Sequence, residues 1–141
     1  MILYLDTSAL VKLYVEEEGG VETRALVDRV DGTYSVRVSY VEARAAFGRL
    51  LRAKAMSARE HGSILRRFEL DWAGLGMVEV SDALVRSAGA LAEKHALRAF
   101  DATQLAAVLE LRDGGVPVEL ACFDARLLQA AREERVALAL P

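Results

Sequence analysis

Four carboxylates, Asp6, Glu42, Asp101 and Asp124, are the residues of this chain best suited to chemistry. Oxygen donors without histidine or cysteine favour hard divalent ions, so a site built from them implies Mg²⁺ or Mn²⁺. Crowded carboxylates repel and raise one another's pKa values, and divalent cations relieve that repulsion. An ion held there polarises a phosphoryl oxygen and lowers the pKa of a bound water, which is a recipe for phosphodiester hydrolysis by metal-activated water. No nucleophilic triad competes. The chain has one cysteine, Cys122, in an apolar run that reads as core, and two histidines, His61 and His95, far apart in helical patterns. A zinc cluster is excluded on the same count.

Each acid also has a plain structural explanation. Ser39-Tyr40-Val41-Glu42 has the form of a capping box, and Asp101-Ala102-Thr103-Gln104 repeats it with Asp101 as N-cap. Asp6 and Asp124 can each cap the helix that follows. Caps serve only their own helix, however, and have no reason to converge. Convergence therefore separates the two readings, and it depends on the elements that carry the acids.

Apolar, β-rich runs predict strands at Ile2–Leu5, Thr33–Val38, Gly76–Val80, Val118–Phe123 and Val136–Leu140. Helical spacing predicts helices over Ala9–Val15, Val21–Val30, Ser39–Ala55, Ser57–Trp72, Asp82–His95, Phe100–Arg112 and Ala125–Glu134, with Gly19-Gly20 and Gly114-Gly115 as breaks. Alternating strands and helices imply an α/β fold, a three-layer α/β/α sandwich around a mainly parallel sheet. Ligands of such sheets bind beyond the carboxyl ends of the strands. Asp6 and Asp124 follow strands directly, and Glu42 lies in the first turn of a helix that follows one. Asp101 reaches the same edge if its helix starts there.

The chain has 141 residues, 53% of them hydrophobic, which suits one domain spanning 1–141. No apolar run approaches the roughly 20 residues of a membrane span. The N-terminal segment lacks a basic region and carries Asp6 where a signal peptide is apolar, so a cytoplasmic protein is expected. Net charge is −3, but Arg37 to Arg67 carries eight basic residues against two acidic ones; that window is +6 and the remainder −9. A local basic stretch of this kind can hold a phosphate backbone. One helical face runs from Glu42 through Ala45 and Ala46 to Arg49, so Arg49 is the cation best placed to grip a phosphate near the acids.

Leu3-Tyr4-Leu5-Asp6-Thr7-Ser8-Ala9-Leu10-Val11-Lys12 resembles the opening of PIN domains, especially the VapC toxins of toxin–antitoxin pairs. Ser39-Tyr40-Val41-Glu42 resembles their second acidic motif, Leu97-Arg98-Ala99-Phe100-Asp101-Ala102 the third, and Phe123-Asp124-Ala125-Arg126-Leu127 the fourth. The order and spacing match over essentially the whole chain. The resemblance implies a PIN-like fold and a Mg²⁺- or Mn²⁺-dependent endoribonuclease, the toxin of a pair. Asp6, Glu42, Asp101 and Asp124 become metal ligands, directly or through water, and Thr7 or Ser8 a hydroxyl that orients Asp6 or a water. It further implies a homodimer and a cognate antitoxin; Phe47, Leu50, Leu51, Ile64, Leu65, Phe68 and Trp72 offer apolar surface for the self-contact. Cys122 departs from the pattern, standing where the family often has Thr.

Other classes fit less well. A phosphoacceptor signalling domain wants paired acids after the first strand and a late lysine, but Asp6 is followed by Thr7 and Ser8 and no lysine lies beyond Lys94. A haloacid-dehalogenase-type phosphatase wants a second Asp where Ser8 stands. The stronger alternative is a non-catalytic PIN-like module that binds RNA or protein, with the acids as caps.

Overall fold

The computed structural model describes residues 1–140. It contains β1 (Ile2–Leu5), α1 (Thr7–Val11), α2 (Gly20–Val27), β2 (Gly32–Val36), α3 (Ser39–Arg52), α4 (Ala58–Trp72), β3 (Gly76–Val78), α5 (Asp82–His95), α6 (Ala99–Asp113), β4 (Val118–Ala121) and α7 (Ala125–Glu133). The strands form one sheet in the order β3-β2-β1-β4, and every pairing is parallel. Tyr4 of β1 sits opposite Tyr34 on one side and Leu120 on the other.

β1 is central and buried on both faces, as parallel strands are. Successive side chains alternate, so Tyr4 joins one core and Leu3 and Leu5 the other. The first core packs Tyr4, Val36, Val78 and Leu120 against Leu84 and Leu91 of α5, Leu105 and Val108 of α6, and Leu127 of α7. The second packs Leu3, Leu5 and Ala121 against Leu10 of α1, Phe47 of α3, and Ile64 and Phe68 of α4. Helices thus cover both faces and the sandwich has the expected three layers.

Three expectations change. The last strand shrinks to a single parallel bridge between Leu120 and Leu138, flanked by Leu120 N–H donating to Ala137 O and Ala139 N–H donating to Leu120 O. The first helix begins at Thr7, because Asp6 accepts the Ala9 N–H as its N-cap, and it ends at Val11. The apolar side chains assigned to a self-contact are largely used within the chain. Phe47, Ile64 and Phe68 are buried, and Leu50, Leu51, Leu65 and Trp72 pack against the same core. Phe68 alone meets the rings of Tyr14, Tyr40, Phe47 and Trp72 at centroid distances of 5.4 to 5.7 Å.

Candidate active site: four carboxylates at the strand ends

Parallel strands bring their carboxyl ends to one edge of the sheet, and the four acids meet there. A cavity of about 310 Å³ is lined by Asp6, Glu42, Asp101 and Asp124 together with Thr7, Lys12, Glu17, Arg49, Gln104 and Phe123. The capping explanation holds for two of the acids only. Asp6 accepts the Ala9 N–H and Asp124 the Leu127 N–H. Helix α3 is capped at Val38 and α6 at Arg98, neither through a side chain. The two expected capping boxes are therefore absent. Ser39 lies fully buried inside α3 and Asp101 sits in the first turn of α6, free of any capping duty.

Asp6 is 3% exposed. Ser8 Oγ donates to its Oδ1 at 2.7 Å and Ala9 N–H at 2.9 Å. Burial nevertheless pushes its pKa up to about 6, outweighing those donors, with Glu42 a smaller contributor in the same direction. Desolvation, rather than the mutual repulsion expected from sequence, is the larger cause. The same holds for Asp101, raised first by burial and then by Asp124, and lowered by Arg98 and Arg126.

Glu42 is oriented by a buried polar network. Gln104 Nε2 donates to Glu42 Oε1 at 2.9 Å and to Ser39 Oγ at 2.9 Å, and Thr7 Oγ1 donates to Glu42 Oε1 at 2.9 Å. Tyr4 fixes which end of the amide points where. Its hydroxyl is fully buried and its pKa stands well above the ordinary value, mainly through desolvation, so it remains a donor. It donates to Gln104 Oε1 at 2.6 Å, which turns the amide nitrogen toward Glu42. Among the described residues, no buried side-chain nitrogen or oxygen lacks a partner. The two hydroxyls divide their tasks: Ser8 holds Asp6, and Thr7 holds Glu42.

Cys122 is 2% exposed and accepts the Asp124 N–H at 3.3 Å. Its thiol lies 4.0 Å from Ser8 Oγ. Burial and the neighbouring Asp6 carboxylate hold it protonated, with a pKa far above the thiol range.

Among the described residues, no three Asp, Glu, His or Cys side chains stand close enough to hold one ion between them. The acids influence one another as pairs, Asp6 with Glu42 and Asp101 with Asp124. This donor set fits a hydrated hard cation, since Mg²⁺ keeps several waters and needs only one or two carboxylates. Sequence reading missed Gln104, Lys12, Glu17 and Phe123. The available signal for Gln104 was its position one helical turn after Asp101; for Lys12 it was the first motif, which it ends.

The chain matches the PIN domain family over residues 3–137. It is 38% identical over 126 residues to Ribonuclease VapC45 and to Ribonuclease VapC49 of Mycobacterium tuberculosis, alignments covering 89% of this chain and 86% of each relative. Among solved structures, FitAcB from Neisseria gonorrhoeae superposes with a TM-score of 0.64 at 19% identity, covering 98% of this chain and 96% of that one. A toxin–antitoxin complex from Klebsiella pneumoniae gives 0.61 at 15% identity, covering 86% of each chain. The protein belongs to the PIN-domain family and is VapC-like.

Proposed function

We propose that this PIN-domain protein is a metal-dependent endoribonuclease, the toxin of a toxin–antitoxin pair, hydrolysing RNA phosphodiester bonds at the carboxylate cavity. The observation that carries the reading is the convergence of all four acids on one cavity, two of them with no capping role. The ribonuclease names of relatives at 38% identity support it.

Asp6 with Glu42, and Asp101 with Asp124, would hold Mg²⁺ or Mn²⁺. A bound ion supplies Lewis-acid chemistry, polarising the phosphoryl oxygens and acidifying water. The chain's own contributions are positioning and charge. Gln104 and Thr7 hold the Glu42 carboxylate, and Ser8 holds Asp6, so neither must reorganise when RNA arrives. Arg49 lines the same cavity one face along α3 from Glu42, placed to receive a neighbouring phosphate.

A cognate antitoxin fits the same cavity. A guanidinium or ammonium from such a partner forms charge-assisted bonds to Asp6, Glu42 and Asp101 in place of a cation. The family reading also carries a homodimer, and Val41 and Leu70 are large apolar side chains that α3 and α4 leave exposed for it. Sedimentation at tens of micromolar tests this; a monomer rejects it. A cytoplasmic location belongs to the same reading, and among the described residues no helix is long and apolar enough to cross a membrane.

Incubation with total RNA, with the cut ends mapped, tests the central assignment. Cleavage in Mg²⁺ that EDTA abolishes is expected. Full activity in EDTA rejects the metal, and intact RNA under both conditions favours the non-catalytic module.

A further inference from the structure

The carboxylate cavity also contains a lysine with no part in the proposed metal site. Lys12 and Arg49 are the cations lining it, against Asp6, Glu17, Glu42, Asp101 and Asp124. Five negative charges against two positive leave that wall at −3, which repels an RNA phosphate unless a cation is fixed close by.

Arg49 is exposed and has no ion pair among the described residues. Lys12 is different: its side chain is only 13% exposed and is held from several sides. Its ammonium lies 4.5 Å from the centroid of the Phe123 ring, a cation–π contact, and 3.1 Å from Glu17 Oε1. Gly19 closes the seat. With φ of +89°, it brings the α1–α2 connection so near that a Cβ there would stand 2.6 Å from the Phe123 ring and 3.3 Å from Lys12 Cδ.

This seat is joined to the acids themselves. Phe123 directly precedes Asp124, and its N–H donates at 2.9 Å to Ser8 Oγ, the hydroxyl that holds Asp6. The counter-ion is not built in this way. Glu17 is exposed and has no other side-chain hydrogen bond among the described residues. With its carboxylate end open to solvent, this ion pair is weak and exchanges readily.

We propose that Lys12 is a second phosphate-binding residue of the cavity beside Arg49, seated by the Phe123 ring, and that Glu17 is a placeholder carboxylate which an RNA phosphate displaces. The inference rests on the ribonuclease reading and adds a residue to it. An ammonium presents three donors and a compact charge, which suits one phosphate oxygen better than a bidentate pair.

Anisotropy of a fluorescent single-stranded RNA 12-mer, titrated in EDTA at several salt concentrations, tests this without relying on cleavage. Lys12→Met should weaken binding and reduce the slope of log affinity against log salt by about 0.7, the value of one lost single-strand phosphate contact. Glu17→Gln should act with the opposite sign, tightening binding about two- to fivefold at low salt. Phe123→Leu should weaken binding less than Lys12→Met. If Lys12 and Glu17 were only structural partners, both substitutions would lower the melting temperature together and leave the salt slope alone, which overturns the assignment. If Lys12→Met fails to fold, Glu17→Gln decides alone: tightening supports the proposal, and weakening or no change overturns it. Should the wild type cut RNA in Mg²⁺ while the variants miss this pattern, only the Lys12 assignment falls. Should the wild type neither bind nor cut RNA, the ribonuclease reading falls and takes this inference with it.

Discussion

The two pairs of carboxylates are built on opposite principles. Asp6 and Glu42 sit in a buried polar network in which Ser8, Thr7, Ser39, Gln104 and Tyr4 satisfy one another. Asp101 and Asp124 stand at the starts of α6 and α7, partly or fully exposed, with Arg98 and Arg126 as exposed neighbours. The first pair is preorganised at the cost of desolvating Asp6. The second lies more open to solvent, although burial still raises the Asp101 pKa and Asp124 caps α7 through the Leu127 N–H. A buried half beside an open one suits a site that must hold charge firmly and still admit a ligand.

Direct neutralisation breaks both halves and has the largest expected effect. Asp6→Asn and Asp101→Asn should each lower Mg²⁺-dependent cleavage by on the order of 10³-fold, because on the proposed function each removes charge that would hold the ion. Equal activity in either variant, by initial rate on a defined RNA, would remove that acid from the site.

Substitutions that spare the acids sharpen the contrast. Gln104→Leu should lower the rate about 10- to 100-fold, as loss of a partner that orients a ligand does. It also leaves Tyr4, Ser39 and Glu42 short of a buried partner, which costs about 1–3 kcal/mol in urea unfolding. Arg98→Ala, on the open side, should change the rate only a few-fold and leave stability within about 0.5 kcal/mol. Comparable effects from the two would erase the distinction.

A smaller effect concerns inhibition. If a partner's cation takes the place of a metal ion, its grip should weaken as Mg²⁺ rises and should loosen in Asp6→Asn. Titration of the natural partner at low and high Mg²⁺ reads both. Affinity indifferent to both changes would put the partner elsewhere.

The contrast also explains what was legible in the sequence. Strand and helix periodicity placed β1, α3 to α6 and β4 within a few residues, and the strand-end rule brought Asp6, Glu42, Asp101 and Asp124 to one edge. Local motifs misled where tertiary contacts won. Ser39-Tyr40-Val41-Glu42 reads as a capping box, but the fold buries Ser39 against Ser35 and Gln104 and gives Glu42 to Gln104 and Thr7. Gln104 reads as the polar end of a box at Asp101; its partners lie up to 100 residues away, beyond any local pattern. Val136 to Leu140 reads as a strand because it is apolar, but its side chains serve the two cores and it pairs with β4 through a single bridge. Asp6 and Asp124, which directly follow β1 and β4, keep the N-cap roles read from sequence, because a strand-end acid that opens a helix carries its own local geometry.

The stability of Asp6 against pH tests the account most directly. Its folded pKa, about 6, lies above its ordinary value of 3.8, so the fold prefers the protonated acid. Its stabilising contribution is therefore full below about pH 4 and is lost as pH rises through 6, a penalty at neutral pH of about 3 kcal/mol. Divalent cations should relieve that penalty, because they favour the ionised form. Thermal melts at pH 7.5 should show Asp6→Asn melting several degrees above the wild type in EDTA. Added Mg²⁺ should raise the wild-type midpoint and move the variant far less. A wild-type midpoint indifferent to Mg²⁺, together with a variant less stable than wild type in EDTA, would contradict the claim that Asp6 is a buried carboxylate held ready for a metal ion.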